Sequence, residues 1–372
     1  MSGLSNSDST IPHSGTPTSD GFRMPGEHEP HQAILMAWPT RPDNWRENAA
    51  PAQEAFTTLA MAIDETTPVI MCVPPEHYDT ARHMLPDDID LVAIPSDDSW
   101  MRDIGPSYVL NDAGELRGVD WPFNAWGGVV NGLYDNWDHD DALAGQLLAL
   151  RGERRYRAPL VLEGGAIHVD GEGTCITTAE CLLHPGRNPE LTQDEIAEFL
   201  RSYLNVSKVV WLPYGLANDE TDGHVDNILH FVRPGEVVLT WCDDEADPVY
   251  DICRQALAAL EAETDAKGRT FTVHKLPMPG PLYVTPEEAA GVEQSNGMVR
   301  TAGQRLAGSY TNFLITNGRV VFPLLDEAHD AKVEEILGDL FPEHYVIGVA
   351  AREILLGGGN IHCVTQQVPA SG

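Results

Sequence analysis

The sequence predicts an α/β chain assembled from one repeated β/α unit, and two observations carry that expectation. Five amphipathic helical stretches, near residues 51–65, 141–151, 192–204, 247–264 and 329–340, are each followed by a short β-rich run, at 68–73, 156–161, 207–212, 270–276 and 344–350. A glycine-rich stretch near the C-terminus, Leu356-Gly357-Gly358-Gly359-Asn360-Ile361-His362-Cys363, has an earlier relative in Leu162-Glu163-Gly164-Gly165-Ala166-Ile167-His168-Val169, identical at five of eight aligned positions. A doubly wound sheet gives a similar alternation of helix and strand. The uneven spacing of the helices reads instead as one unit carrying insertions, and the echoed stretch favours internal repetition.

Taken in order, residues 1–21 are rich in Ser, Thr, Gly and Pro and lack an apolar period, the composition of a disordered tail. Residues 22–372 follow as one folded domain. The run 31–38 (HQAILMAW) reads as a buried strand closed by Pro39 and Pro42. Further strands fall between the units at 237–241 and 311–323, and Asn317-Gly318 marks a hairpin turn inside the latter.

The net charge is −34, from 57 acidic and 23 basic residues, and only Lys208, Lys267, Lys275 and Lys332 are lysines. Such self-repulsion opposes compactness unless counterions screen it. The balance resembles that of proteins from salt-accumulating microbes, and it speaks against a nucleic-acid partner, which needs a basic footprint. Six scattered cysteines include no CxxC pair, so neither a zinc site nor a redox pair is signalled. There is no charged start followed by an apolar run, and no apolar segment of the roughly 20 residues that cross a bilayer. A cytoplasmic protein with reduced thiols and no membrane contact is expected.

The polar motifs fall at a regular place. Glu163 follows the second post-helix run, His224 and Asp226 follow the third, and Cys363 follows the fifth. Asp103 follows the first, after an extra helix and strand. If the units ring a pseudo-symmetric axis, these loops converge; the fourth unit offers no comparable group. Three glycines in a row let the backbone approach a ligand closely and leave Cys363 where a small substrate reaches its sulfur, although the same run also suits a structural turn with an inert buried cysteine. In an extended segment His224 and Asp226 share a face. By the same alternation His362 and Cys363 point apart, which makes His362 a poor base for its neighbour and its counterpart His168 structural. Residues 96–103 gather three carboxylates, Arg102 and the indole of Trp100 between Pro95 and Gly105-Pro106, a shaped loop rather than a helix.

A thiol with an imidazole is the pattern of acyl transfer. Several carboxylates around the thiol point instead to a cationic substrate. A guanidinium is planar, always protonated and presents five donors to paired carboxylates, and its central carbon accepts a thiolate. Attack, loss of ammonia and hydrolysis of a covalent thiouronium would follow, with His224 protonating the ammonia and then activating water.

Met24-Pro25-Gly26-Glu27 with Glu29-Pro30-His31, Met36-Ala37-Trp38-Pro39, Asp43-Asn44-Trp45-Arg46, Trp100-Met101-Arg102-Asp103-Ile104-Gly105-Pro106, Leu162-Glu163-Gly164-Gly165, Gly223-His224-Val225-Asp226-Asn227 and Gly357-Gly358-Gly359-Asn360-Ile361-His362-Cys363 together resemble the agmatine deiminases, among the guanidino-group-modifying enzymes. The resemblance runs from about residue 22 to 368. It implies a five-bladed pseudo-symmetric α/β propeller, the pentein fold, built from ββαβ units, with 22–372 as a single catalytic domain. It implies Cys363 as nucleophile, His224 as general acid and base, Asp103 and Asp226 as guanidinium holders, Glu163 as support for His224 and substrate, and Trp100, Gly358 and Gly359 as substrate contacts. No metal or organic cofactor is implied. The activity implied is hydrolysis of agmatine to N-carbamoylputrescine and ammonia, in putrescine and polyamine biosynthesis; relatives are commonly homo-oligomers. His28, where tryptophan is common, and the acidic composition depart from the pattern. An arginine or peptidyl-arginine deiminase on the same centre, an amidinotransferase, and a non-catalytic polyamine-binding propeller are the competing readings. The loop 218–222 carries three acids and no base, a rim that attracts the amine of agmatine and repels the carboxylate of arginine, with Glu220 as the expected amine contact.

Overall fold

In the computed structural model, which describes residues 15–295 and 298–371, each repeated unit folds into the same small sheet. Two antiparallel strands joined by a short turn are followed by a helix, and the helix returns the chain to a third strand parallel to the middle one, as a crossover requires. One such blade holds Ser107–Asn111, Leu116–Asp120, helix Asp138–Arg151 and Arg154–Arg157. The next holds Ile167–Val169, Thr174–Thr178, helix Gln193–Leu204 and Lys208–Leu212. A third holds Leu229–Arg233, Glu236–Trp241, helix Val249–Glu261 and Thr272–Pro277. A fourth holds Leu314–Thr316, Arg319–Leu324, helix Asp330–Leu340 and Tyr345–Ala350, with its hairpin at Asn317-Gly318 as expected.

The fifth blade is shared between the two ends of the chain. Thr365–Pro369 pairs antiparallel with His31–Ala37, which leads through helix Ala50–Asp64 to Val69–Val73 and then Asp90–Ala93. The last strand therefore closes the ring on the first, and the sequence-derived picture of five ββαβ units stands. The central strand His31–Ala37 is buried along nearly its whole length, as its continuous apolar run requires. The amphipathic logic of the helices also holds. In Gln193–Leu204 a capping box joins Thr192 and Glu195, and Ile196, Leu200, Tyr203 and Leu204 form the buried stripe.

Two boundaries differ from the sequence reading. The run expected at 156–161 stops at Arg157, because Pro159 has no N–H for the ladder; Leu160 and Leu162 go on into a hydrophobic core instead. The expected tail is also shorter. Residues 1–14 lie outside the described residues, but Thr18–Asp20 form a turn of 3-10 helix. Thr18 Oγ1 donates to the Arg201 carbonyl at 2.7 Å, and Asp20 Oδ2 accepts from the Tyr156 hydroxyl at 2.7 Å. Composition cannot show such single polar anchors.

Deleting residues 365–372 removes the closing strand with its buried Thr365, Gln366 and Val368. The expected outcome is loss of the cooperative thermal transition in circular dichroism; a truncated chain that melts like the full one would mean the ring does not depend on being closed.

Candidate active site

The triple glycine and the tryptophans explain each other. Helix Arg352–Leu356 ends at Gly357, Gly358 takes φ +114°, and Gly359 passes so close to Trp100 that a Cβ there would sit 2.5 Å from the indole ring. Trp100 in turn stacks on Trp45, with centroids 5.2 Å apart, and both indole N–H groups donate to the buried Asp98, at 3.0 and 2.7 Å. Asp98 is thus a structural acid. Residues Met101–Ile104 form one helical turn rather than the loop expected from the flanking Pro95 and Gly105-Pro106. Pro106 only stops that turn, and the turn carries Asp103 inward. Trp100, Asp103, Trp126, Glu220, Gly358 and Cys363 are among the residues that line one narrow cleft.

His224 and Asp226 are not in a strand. They flank and enter a 3-10 turn, Val225–Asn227, whose threefold repeat sends residues two apart to different sides. His224 Nδ1 lies 3.9 Å from Asp103 Oδ2 and its Nε2 lies 3.5 Å from Glu163 Oε2. Asp226 Oδ2 instead faces Cys363 Sγ at 3.6 Å and accepts from His362 Nδ1 at 2.8 Å. Asp226 Oδ1, fully buried, has no hydrogen-bond partner among the described residues. The earlier glycine pair has the same use as the later one. A Cβ on Gly165 would lie 2.5 Å from His224 Nδ1, and the Gly165 N–H donates to Asp103 Oδ1 at 2.9 Å.

Every buried acid here is anchored. Asp103 Oδ2 accepts from Trp126 Nε1 at 2.9 Å. Trp126 is held at φ +61° next to Ala125 at φ +54°, strained backbone of the sort found where structure over-determines a side chain. Burial pushes Asp103 up to about 6, with Asp226 and Glu163 adding to the rise against the His224 ring. Glu163, at 0% exposure, is no turn carboxylate. Burial opposes its charge, but Arg187, Nε to Oε1 2.8 Å, and His224 hold it below the ordinary carboxylate range. Burial likewise works against a charged His224, yet Asp103, with Cys181 and Glu163, raises it well above the ordinary histidine value, which favours the protonated ring. Burial pushes the Cys363 thiol well up, and Asp226 and Asp103 push it further.

All the expected chemistry is brought together: Cys363, His224, Asp103, Asp226 and Glu163 share one site, with Trp100, Gly358 and Gly359 on its wall. The acidic rim is not as expected. Asp219 turns inward to the Thr221 N–H and Asn227 Nδ2, both at 3.0 Å, and Asp222 binds Arg187 at 2.9 Å. Of these three acids Glu220 lines the cleft, and a base opposes it: Arg300 bonds to Glu220 Oε1, while Glu220 Oε2 has no partner among the described residues. Arg300 lies 80 positions further along the chain, where a local reading of the loop does not look. Asn312 was also missed. Its side chain meets Cys363 Sγ, Nδ2 at 3.2 Å, and accepts from the His362 N–H at 2.9 Å. It fills the place after the fourth post-helix strand that looked empty; the polar run Ser309-Tyr310-Thr311-Asn312 was the available signal. The ring nitrogens of His362 are taken by Asp226 and Glu27, which removes it as a base for Cys363; residues 361–364 form a turn, so strand alternation is not the reason.

With this geometry in hand, comparison with known proteins is informative. Residues 23–369 match the family described as Porphyromonas-type peptidyl-arginine deiminase. A protein of Photobacterium profundum that bears the provisional name agmatine deiminase is 60% identical over 356 residues, 96% of this chain and 98% of its own. One of Marinomonas with the same provisional name is 57% identical, covering 95% and 96%. The solved agmatine deiminase of Enterococcus faecalis superposes with a TM-score of 0.93 at 45% identity, over 96% of this chain and 98% of that one.

In the free protein the thiolate absorbance of Cys363 is expected only above the range of an ordinary thiol, and to appear at lower pH once a guanidinium compound fills the cleft and cancels the carboxylate field. The difference titration between wild type and Cys363→Ser reads this directly. A thiolate already complete at neutral pH without ligand would overturn the electrostatic account.

Proposed function

We propose that this chain, which belongs to the Porphyromonas-type peptidyl-arginine deiminase family, is an agmatine deiminase that hydrolyses agmatine to N-carbamoylputrescine and ammonia. The observation that carries the reading is Cys363 Sγ, 3.6 Å from Asp226 Oδ2, set among carboxylates that keep acceptor capacity for a cation, above all Oδ1 of buried Asp226, which has no partner among the described residues. A guanidinium entering between Asp103 and Asp226 supplies the missing positive charge. It also lowers the cost of deprotonating the thiol, so substrate assembles its own nucleophile.

In this reading the Cys363 thiol releases its proton to solvent as the guanidinium binds, and the thiolate then forms an S–C bond to the guanidinium carbon as one C–N π bond opens. The imidazolium of His224 gives a proton to the departing nitrogen, and ammonia leaves a covalent thiouronium. The now neutral His224 takes a proton from water, whose oxygen adds to the same carbon. The S–C bond then breaks and the carbamoyl product is released. Glu163, fixed by Arg187, keeps His224 oriented and charged. The carboxylates hold the guanidinium in ground and transition state alike, and Trp100 forms a flat wall beside it.

Glu220 is our assignment for the amine end, through its unpaired Oε2. Because Arg300 offsets much of its charge, discrimination against arginine rests on one oxygen rather than on a rim of three acids. The rival arginine reading draws its support from that same Arg300. The cytoplasm, a homo-oligomer and a place in polyamine biosynthesis complete the proposal. Among the described residues no helix is long and apolar enough to cross a membrane, and all six cysteines are free.

Purified protein given agmatine, arginine and a peptidyl-arginine should release ammonia from agmatine with kcat/KM at least about tenfold above that for arginine, and Cys363→Ser should release none. Comparable values for the two small substrates would promote the arginine reading.

The charge of −34 with four lysines supports a halophilic protein. Thermal midpoints should rise steeply across a potassium chloride series, with activity following. A flat series would mean that the charge serves ordinary solubility.

A further inference from the structure

Next to Asp226 stands a buried pair that the steps above do not use. His362 bridges two carboxylates, Nδ1 to Asp226 Oδ2 at 2.8 Å and Nε2 to Glu27 Oε2 at 2.9 Å, and all three side chains are at most 5% exposed. If both carboxylates are ionised, a ring bonded to each must carry a proton on both nitrogens. Glu27 is itself held in place. Its Oε1 accepts from the Ile315 N–H at 2.9 Å, and Arg102 Nη2 lies 3.4 Å from its Oε2. Two carboxylates, the imidazolium and the Arg102 guanidinium sum to zero charge, the condition under which ions survive burial.

The same surroundings could be taken for a metal cage, because Glu27, His168, His230 and His362 lie within reach of one ion. The rings of His168 and His362 are nearly parallel, 21° apart with centroids at 5.2 Å, so their in-plane lone pairs do not aim at one point. Arg102 also already occupies the carboxylate.

We infer that Glu27 and His362 are positioning residues: Glu27 keeps His362 doubly protonated, and His362 occupies Asp226 Oδ2, so that Asp226 stays ionised and presents Oδ1 to the substrate cation. The arrangement also matters for the thiol. Asp226 Oδ2 is the carboxylate oxygen that faces Cys363 Sγ, and a donor already bound there keeps it from taking the sulfur proton for itself. The charged groups facing His362 are Glu27, Asp226 and Arg102, with the rings of His168 and His230 beside it. Burial and Arg102 oppose its charge, while Glu27 and Asp226 raise its affinity for a proton. Burial in turn opposes the charge on Asp226, and His362 holds it below the ordinary carboxylate range. The inference rests on Asp226 being the guanidinium holder of an agmatine deiminase.

Glu27→Gln keeps the shape and the acceptor for Ile315 but removes the charge. Its KM for agmatine should rise about tenfold or more with a smaller fall in kcat. The acid limb of its kcat/KM profile should move up by about one pH unit, because an Asp226 less well held takes a proton more readily. A residue that only stabilised the fold would lower the melting point and the titratable active sites but leave KM and the acid limb where they were. As a second arm, His362→Asn keeps an amide donor toward Asp226 whereas His362→Leu does not, so Asn should retain at least about tenfold more kcat/KM than Leu. This arm decides the matter if Glu27→Gln does not fold. Wild-type KM and acid limb in Glu27→Gln, or equal losses in the two His362 variants, would overturn the proposal while the deiminase reading stands. A wild-type protein that releases no ammonia from agmatine would overturn both.

Discussion

The structure is organised around negative charge buried where water cannot relieve it. Asp103, Glu163 and Asp226 are almost wholly buried, and the thiol of Cys363 lies among them. An isolated ionised carboxylate in such surroundings is far too costly to persist, so each needs a fixed donor or cation. Asp103 has an indole and a backbone N–H, Glu163 has Arg187, and Asp226 has His362. These partners leave acceptor capacity open at one point, Asp226 Oδ1, which has no hydrogen-bond partner among the described residues. Burial with Asp226 and Asp103 also pushes the Cys363 thiol well up.

The blade architecture meets that constraint by spreading the groups over its five units. Asp103 precedes one blade's first strand, Glu163 the next, His224 and Asp226 the next, and Asn312 the fourth; Cys363 precedes the strand that closes the ring. No unit has to bury several acids on one element. The glycine pairs at 164–165 and 358–359 serve the same need at two points of the ring. Without side chains they let backbone and aromatic or imidazole rings come within contact, which excludes water from the charges.

Comparing Glu220 with Glu163 shows how partners decide the role of an acid. Both are single glutamates in loops, and both face an arginine. Glu163 is enclosed, with Oε1 2.8 Å from Arg187 Nε and Oε2 3.5 Å from His224 Nε2. Glu220 lines the cleft, and its Oε2 has no partner among the described residues. Charge counted along the chain does not separate the two; the geometry of the arginine does.

From its sequence alone, this protein was determined to the level of repeated units, their helices and strands, and the candidate residues Cys363, His224, Asp103, Asp226 and Glu163 that the fold gathers in one place. Those features are written locally, in apolar periodicity, glycine runs and short motifs. Tertiary structure alone decided which charges are compensated. Arg300 against Glu220, Arg187 against Glu163, Asn312 against Cys363 and Glu27 against His362 join positions far apart in the chain. It also ordered residues 15–21 through single hydrogen bonds to Arg201 and Tyr156, and turned Asp219 and Asp222 away from the rim. The reason is physical. A side chain's type is local information, but its protonation and its partner depend on what burial brings beside it, and burial is a property of the closed ring.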